Sequence, residues 1–404
     1  MNRVAVTGLG LVCALGNNVE ESWRRLLAGE CRIAPLSDEG NPPYKFSKGA
    51  EAWGFRPHEH FSEKDLVMLE RFAQLATVAA REAVGRSGLR FDRELADRTA
   101  VITGSSVGGQ FSEEEGYQRL YREGNPRVAP LTIPRTMANA GASRISLEFG
   151  IHGPTYTVST ACSSSNHALG QAFWLVRGGA VRAAIAGGSE AVFAEGLLRA
   201  WEAMRVVSPD VCRPFSADRR GLSLGEGAGM LVLENWEHAH ARGARVYGEI
   251  IGFGMSSDAH HLTQLCVDGP AKAMTWALQD ARLSPERVGY INTHGTGTQA
   301  NDTTETEAIR AVFNSYADKL LVSSTKSMHG HTLGAAGAIE AIATLLTLQH
   351  SQIPPTVNYT TPDPACNLDV VPNQARSAPV EIALSNTFAF GGLNASLIMK
   401  RFAG

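Results

Sequence analysis

Short β-branched runs alternate with helical segments along this chain, and that alternation limits its fold more than any other feature. Arg3–Val12 (RVAVTGLGLV) predicts a buried strand that leads into a loop, and Leu66–Val84 predicts a helix rich in Leu, Phe and Ala. Thr99–Gly104 and Arg182–Gly187 predict two more strands. Strands that alternate with helices are typical of the α/β class, so we expect that class here.

The pattern restarts near residue 240. Residues 246–258 (VYGEIIGFGMSSD) repeat the arrangement of the N-terminal segment, a strand followed by a glycine-punctuated loop. A predicted helix, Ala271–Ala281, and a predicted strand, Val288–Asn292, continue the alternation. We therefore predict two similar halves, 1–240 and 241–404, which are not repeats of the solenoid kind.

Composition and charge argue against several functions. The 404 residues carry a net charge of -3, which provides no basic surface for nucleic acid. No apolar run reaches the roughly 18 residues that predict a membrane span, and the N-terminus lacks the regions of a signal peptide. The six cysteines are scattered, with no C-x-x-C pair and no disulfide-framework spacing. We expect a cytoplasmic protein that binds neither nucleic acid nor membrane.

Cys162 occupies the junction between two predicted elements. It lies in STACSSS, between the end of a predicted strand, Thr155–Val158, and a predicted helix, Asn166–Val176. Unpaired N–H groups and the dipole at a helix N-terminus favour a thiolate over a thiol. A lone cysteine is also commonly a small buried hydrophobic residue. The motif alone leaves both interpretations open.

Two histidine motifs and a glycine turn follow in the second half. NTHGTGT places His294 directly after a predicted strand, a typical position for a catalytic group in an α/β fold. The loop KSMHGHTLGAAGA opens an Ala-rich helix, with Lys326 and His331 near the helix N-terminus and Glu340 inside the helix. The turn NTFAFGGLN predicts backbone N–H groups and Phe390 close to a ligand.

Other chemistries fit these motifs less well. His329 and His331 form H-x-H, but no cysteine or carboxylate stands at ligand spacing beside them, so we expect no metal. The glycine-rich loops lack the P-loop pattern and the acidic residue of a dinucleotide site. A cysteine hydrolase that pairs Cys162 with His294 is a further alternative. Two histidine motifs plus a lysine exceed what such an enzyme needs, and the chain has no G-x-S-x-G elbow.

In this order, TACSSS, NTHGTGT, KSMHGHTLGAAGA and NTFAFGGLN resemble the signature motifs of the β-ketoacyl-[acyl carrier protein] synthases. The resemblance covers essentially the whole chain. It is nearest to the elongating enzymes of bacterial fatty-acid synthesis and equally near to type II polyketide ketosynthases. The resemblance implies a thiolase-like fold, with two pseudo-symmetric βαβαβαββ halves in a five-layer αβαβα sandwich, usually dimeric.

The resemblance also implies the reaction, a decarboxylative Claisen condensation. Cys162 matches the nucleophile that holds the acyl chain as a thioester, because a thiolate attacks a thioester well. His294 and His331 match the two histidines that donate ring N–H groups to the thioester oxygen of malonyl while it loses its carboxylate. The backbone N–H groups of Cys162 and Phe390 match the oxyanion hole for the tetrahedral intermediate.

Supporting roles are implied in the same way. Lys326 matches a lysine that orients the site electrostatically, and Glu340 is its expected ionic partner. Thr296 and Thr298 match residues that hydrogen-bond the phosphopantetheine arm of the carrier protein. The positions that match pocket-lining residues are Val107, Trp201 (where Phe is usual), Leu333 and the gating Phe390.

Several positions depart from the family's pattern. Ala389 and Leu393 replace the commoner Gly and Thr in the gating turn, and His329 stands where Thr or a β-branched residue is usual. Val67 and Met68 stand where fatty-acid enzymes often carry basic residues that meet the acidic carrier protein. These departures favour a polyketide or another specialised pathway over fatty-acid synthesis.

The expected partners are acyl carrier protein, which delivers the acyl and malonyl groups, and a second chain in a homodimer or a ketosynthase-like heterodimer. We expect no cofactor beyond the carrier's phosphopantetheine. One alternative is a non-catalytic chain-length partner subunit, which would lack the active cysteine. Another is a thiolase-like acyltransferase acting on coenzyme A thioesters, which usually bears a second catalytic cysteine and one matching histidine. Cys162 with two histidines favours the decarboxylating enzyme.

Overall fold

A ten-stranded mixed sheet organises the chain in the computed structural model, which describes residues 1–402. The last two residues of the predicted half 241–404, Ala403 and Gly404, lie outside the described residues. The strands are β1 Val4–Cys13, β2 Ala34–Pro35, β3 Lys48–Gly49, β4 Thr99–Gly104, β5 Thr155–Val158, β6 Ala183–Glu190, β7 Gly227–Asn235, β8 Gly248–Ser257, β9 Tyr290–Asn292, β10 Leu321–Ser323, β11 Gln352–Ile353, β12 Arg376–Ser377, β13 Ile382–Ala389 and β14 Leu393–Lys400.

Helices cover both faces of this sheet. They are α1 Val19–Leu27, α2 Glu63–Met68, α3 Arg71–Ser87, α4 Arg93–Asp97, α5 Gln110–Tyr117, α6 Thr132–Thr136, α7 Ala140–Phe149, α8 Ser164–Arg177, α9 Glu195–Met204, α10 Trp236–Ala241, α11 Asp268–Ala281, α12 Gln299–Phe313, α13 Lys326–His329 and α14 Ala336–His350. None of the helices in residues 1–402 is long and apolar enough to cross a membrane.

The sheet consists of two halves with the same topology. From the middle outwards, the first half has the order β1-β7-β6-β4-β5 and the second half β8-β14-β13-β9-β10. In each half the first two pairings are antiparallel and the last two are parallel. The halves join where β1 pairs antiparallel with β8. This equivalence is the pseudo-symmetry that the sequence predicts.

Two helices, α8 and α14, lie between the half-sheets. α8 contacts β4 and β6 of the first half and β14 of the second, and α14 contacts β13 and β7. α14 (AGAIEAIATLLTLQH) is buried along nearly its whole length, as its all-round apolar sequence requires. On the outer faces, α3 packs on β1 and β7, and α11 packs on β8 and β14. The layers therefore follow the αβαβα order.

One hydrophobic core runs across both halves. It includes Leu9 and Leu169 from the first half and Ile339 and Leu397 from the second. Because the halves share a core and a sheet, the boundary drawn between residues 240 and 241 stays a prediction.

The structure divides one helix that the sequence predicts as continuous. In place of a single helix over Leu66–Val84, α2 ends at Met68 and α3 begins at Arg71. The side chain of Glu70 accepts a hydrogen bond from the backbone N–H of Phe72 and thereby caps the new helix. The prediction of one helix was wrong because this cap is a polar residue inside an otherwise helical pattern.

Candidate active site

One cavity of about 130 Å³ brings most of the predicted site residues together. The predicted residues Lys326, Glu340, Leu333 and Val107 do not form part of its lining. The lining residues are Cys162, Trp201, Val206, Leu222, Thr263, Leu265, His294, Thr296, Thr298, Ala300, Asn301, His331, Phe388, Ala389 and Phe390.

Cys162 lies in the tight turn between β5 and α8. The residue before it, Ala161, has a φ of +49°, in the left-handed region that side chains rarely adopt. Two hydroxyls hold that strained residue, since Ser106 and Ser164 donate to its carbonyl oxygen at 2.8 and 2.6 Å. α8 begins at Ser164, two residues beyond the cysteine. The turn therefore presents the thiol at the N-terminal end of a buried helix.

Burial raises the pKa of the Cys162 thiol to about 12. Lys326 opposes this rise, Glu190 reinforces it, and the backbone N–H groups of Cys162 and Phe390 act to lower the pKa. The prediction that the helix N-terminus leaves this cysteine with a lowered pKa is wrong for the free enzyme, because removing the thiolate from water outweighs those donors. Both predicted oxyanion-hole N–H groups nevertheless lie close enough to act on the sulfur.

The two histidines reach the cavity from separate loops. His294 follows β9, and its backbone N–H donates to Glu305 Oε1 at 2.8 Å while Gly295 N–H donates to the other carboxylate oxygen at 2.7 Å. His331 follows α13, and its backbone N–H donates to the carbonyl of Ser223 at 2.6 Å. The two imidazole rings meet edge to face with centroids 5.3 Å apart.

Both imidazoles are neutral at pH 7. Burial lowers the pKa of His294 and of His331 well below the usual value of 6.5, and the charge of Lys326 acts in the same direction. The Nδ1 atoms of both rings are buried and have no hydrogen-bond partner within residues 1–402. Nε2 is therefore the ring nitrogen available to a ligand in the cavity.

Lys326 and Glu340 form a buried ion pair behind the cavity wall. Lys326 is the first residue of α13, Glu340 lies in α14, and the lysine Nζ donates to Glu340 Oε1. Both side chains are almost completely inaccessible. Burial raises the pKa of the Glu340 carboxyl, and the lysine charge counteracts that rise. The pair that the resemblance implies is thus present in the structure.

The predicted carrier-arm and gate residues line the cavity. The hydroxyls of Thr296 and Thr298 are 3.0 Å apart, and Thr298 also caps α12. The ring of Phe390 stacks on that of Trp201, with centroids 6.2 Å apart. Phe390 precedes two glycines with φ of +84° and +70°, a turn that residues with side chains rarely adopt.

Two other predicted positions have different surroundings. Leu333 packs in the hydrophobic cluster that contains Cys162 and Trp201. Val107 lies in the loop after β4, where its backbone N–H donates to Glu190 at 3.3 Å. The structure gives Val107 this backbone contact and no place in the cavity lining.

His329 is buried beside the site and is not part of the cavity lining. Its Nε2 is 3.1 Å from the hydroxyl of Thr325, and burial lowers its pKa to about 3. Within residues 1–402 no group of three or more His, Cys, Asp or Glu side chains is arranged to hold a metal ion.

Two family models match consecutive parts of the chain. The model of the β-ketoacyl synthase N-terminal domain matches residues 1–239, and the model of the C-terminal domain matches residues 247–360. The chain belongs to the β-ketoacyl synthase family. The resemblance inferred from the four sequence motifs is confirmed.

Relatives of this β-ketoacyl synthase match it along their whole length. Nodulation protein E of Rhizobium sp. (strain N33) is 46% identical over 399 residues, which are 99% of each chain. The 3-oxoacyl-[acyl-carrier-protein] synthase 2 of Staphylococcus aureus (strain COL) is 39% identical over 407 residues, 99% of this chain and 98% of that one. A solved structure, "The ishigamide ketosynthase/chain length factor", has a TM-score of 0.93 at 38% identity, with 100% of both chains covered.

These matches confirm two predictions for this β-ketoacyl synthase. Its fold is thiolase-like, and it is an acyltransferase of the class that elongates acyl chains in fatty-acid or polyketide synthesis.

Two buried acids that were not predicted from the sequence accept hydrogen bonds from the loops of the site. Glu305, in α12, accepts the backbone N–H groups of His294 and Gly295, and burial raises its pKa to about 7. Glu190, at the end of β6, accepts N–H groups from two loops. The available signal was an acidic residue three positions beyond the predicted strand Arg182–Gly187, at the end of the apolar, glycine-containing run AAIAGGSE.

Proposed function

We propose that this β-ketoacyl synthase holds an acyl chain on Cys162 and lengthens it with a malonyl group delivered by acyl carrier protein. The observation that carries the proposal is the single cavity lined by Cys162, His294, His331 and Phe390. A thiol, two neutral imidazoles and backbone N–H donors are the groups that a decarboxylative condensation needs at one place.

The first half-reaction loads the enzyme. The sulfur of Cys162 attacks the carbonyl carbon of an acyl thioester on the carrier, and the carrier's thiol leaves once the new thioester has formed. Because the pKa of Cys162 is raised by burial, its proton must be taken up as the sulfur attacks. The departing carrier thiolate takes up the proton that leaves Cys162, so both histidines keep the Nε2–H groups that the second half-reaction needs.

The second half-reaction forms the carbon–carbon bond. The malonyl thioester loses CO₂, and ring N–H groups of His294 and His331 stabilise the negative charge on its thioester oxygen. The resulting carbanion attacks the acyl carbonyl on Cys162. The N–H groups of Cys162 and Phe390 stabilise the tetrahedral oxyanion, which collapses to a β-ketoacyl product on the carrier and a free thiolate. Lys326 and Glu340 set the electrostatic field around these groups.

The cavity does not fit either of the two alternative activities. A non-catalytic chain-length subunit needs no thiol in the cavity, whereas Cys162 lines this one. A thiolase-like enzyme needs a second cysteine near the reacting atoms. Cys162 is the one cysteine of the described residues that lines the cavity.

The proposed partners follow from the chemistry and from the relatives. The 39% identical relative is named for acyl carrier protein, and the solved ishigamide ketosynthase is paired in its name with a chain length factor. We propose a carrier protein that delivers both thioesters, phosphopantetheine as the only prosthetic group involved, and a second ketosynthase-like chain as partner. Thr296 and Thr298, which line the cavity, would hydrogen-bond the carrier's arm.

A specialised pathway in the cytoplasm accounts for the remaining features. Identity to nodulation protein E is 46%, against 39% to 3-oxoacyl-[acyl-carrier-protein] synthase 2. Val67 and Met68 on α2 are 61% and 50% exposed, so two apolar side chains stand where the family often presents positive charge. The six cysteines, all free, suit a reducing compartment.

The test compares two cysteine variants of the purified enzyme with acyl-carrier and malonyl-carrier substrates. Cys162→Ala is expected to abolish elongation and to retain some release of CO₂ from malonyl-carrier protein, because the histidines remain. Cys13→Ala, a buried cysteine of β1, is the matched control and is expected to elongate normally. Longer chains made by Cys162→Ala would exclude the proposed nucleophile.

A further inference from the structure

One buried acid of this molecule has no part in the reaction steps above. Glu190, the last residue of β6, is fully buried. Burial raises the pKa of its carboxyl, and the groups that oppose this most strongly are N–H and O–H donors. Removing a carboxylate from water costs free energy, which its hydrogen bonds must offset. We therefore expect those hydrogen bonds to have a structural or catalytic use.

The carboxylate of Glu190 gathers donors from both halves of the molecule. Its Oε1 accepts from the hydroxyl of Ser105 at 2.8 Å and from the N–H of Val107 at 3.3 Å. Its Oε2 accepts from the N–H of Ser106 at 2.6 Å and from the N–H of Gly334 at 3.0 Å. The first three donors belong to the loop after β4, and the fourth belongs to the second half of the chain.

The approach of the second half to Glu190 is close enough to require glycine. A Cβ atom on Gly334 would lie 2.5 Å from Glu190 Oε2 and 2.6 Å from the backbone nitrogen of Ser106. A side chain at position 334 would therefore push the two loops apart. The close contact between the Gly334 loop and the Ser106 loop at Glu190 therefore depends on glycine at position 334.

Each of the two loops leads directly to a catalytic group. Ser106, through its hydroxyl, donates to the carbonyl oxygen of Ala161, the strained residue next to Cys162. Gly334 stands three residues after His331. Glu190 is thus one hydrogen bond from the loop that supports the Cys162 turn and one hydrogen bond from the loop that carries His331.

We propose that Glu190 is a positioning residue that holds the Cys162 turn of the first half and the His331 loop of the second half in the relative position that the reaction needs. The inference rests on the proposed roles of Cys162 and His331. The same carboxylate also acts on Cys162 itself, because its negative charge contributes to the raised pKa of the thiol. Replacing Glu190 should therefore change both the geometry of the site and the titration of the nucleophile.

The experiment compares Glu190→Gln and Glu190→Asp with Glu82→Gln. Glu82 is a suitable control because its carboxylate also accepts two backbone N–H groups, those of Leu11 and Val19, away from the cavity. For each folded variant, kcat and KM for malonyl-carrier protein are measured. The rate of alkylation of Cys162 by iodoacetamide is followed against pH by peptide mass spectrometry.

Glu190→Gln is expected to lower kcat about 10- to 100-fold while KM changes by less than about threefold, since misplaced groups impair the chemical step. Its alkylation profile is expected to move to lower pH, because a negative charge near the thiol has been removed. Glu190→Asp keeps the charge on a shorter side chain, so it should restore the alkylation profile but not the full kcat. Glu82→Gln should change neither.

Wild-type kcat and an unshifted alkylation profile in folded Glu190→Gln would overturn the proposal. If that variant does not fold, Ser106→Ala decides, because it removes the one of the two hydroxyls on the Ala161 carbonyl that comes from the loop held by Glu190. Ser106→Ala is expected to lower kcat, and an unchanged kcat would overturn the proposal. Failure of the proposed function is recognised separately, by elongation that survives Cys162→Ala.

Discussion

The imidazole rings of His294 and His331 lie edge to face, with their centroids 5.3 Å apart, although the two residues belong to different loops. Burial and the nearby Lys326 lower the pKa of both rings, so neither carries charge at pH 7. Two neutral imidazoles at this distance can each offer an N–H to one oxygen without repelling each other. That arrangement suits an oxygen on which negative charge develops during decarboxylation.

Removing either donor should slow decarboxylation strongly. His331→Ala and His294→Ala are each expected to reduce CO₂ release from malonyl-carrier protein about 10²- to 10³-fold, the usual effect of losing one oxyanion donor. His329→Ala is the matched control, because its imidazole is equally buried near the site but does not line the cavity. It should release CO₂ at close to the wild-type rate. Unchanged decarboxylation in His331→Ala would contradict the role given to that histidine.

The titration of Cys162 should reflect burial and not the helix N-terminus. Since burial raises its pKa to about 12, the thiolate fraction and the rate of alkylation by iodoacetamide should still increase above pH 9. The measurement is the pH profile of Cys162 labelling in the free enzyme, read by peptide mass spectrometry. A rate that levels off below about pH 8 would show a lowered pKa, the effect expected of a helix N-terminus.

Breaking the Lys326–Glu340 pair on one side should destabilise the fold. Lys326→Met leaves the Glu340 carboxylate buried without its cation, which typically costs about 3–5 kcal/mol of unfolding free energy. The double variant Lys326→Met with Glu340→Gln removes that unpaired charge and should recover part of the loss. Urea unfolding at one protein concentration and neutral pH measures both. Equal stability of the single and double variants would mean that the unpaired charge is not the cause.

The motifs were predictable from the sequence because each is a short segment at the end of a strand or the start of a helix. The β5–α8 turn fixes Cys162, the end of β9 fixes His294, and the α13 loop fixes His331. Neighbouring residues mark where each motif begins and ends, while contacts distant in sequence, such as that of Ser106 to Ala161, hold it in place. For the same reason the repeat of strand and loop near residue 240 predicted two halves of equal topology.

Features that depend on contacts distant in sequence were not predictable. Glu190 contacts Ser106 and Gly334, which are 84 and 144 positions away, and nothing in the local sequence marks those partners. The raised pKa of Cys162 has the same origin, because the packing that buries the thiol is tertiary. The contact of the Val107 loop with Glu190 is of the same kind, and the role of Val107 in the acyl pocket stays a prediction.

The central claim is that Cys162 is the residue that accepts the acyl chain. The most direct measurement is mass spectrometry of the intact enzyme and its peptides after incubation with a panel of acyl-carrier proteins and no malonyl donor. The structure predicts one added acyl mass per chain, located on the peptide that contains Cys162, and its loss when malonyl-carrier protein is added. An acyl group on any other residue, or elongation without an acylated Cys162, would contradict it.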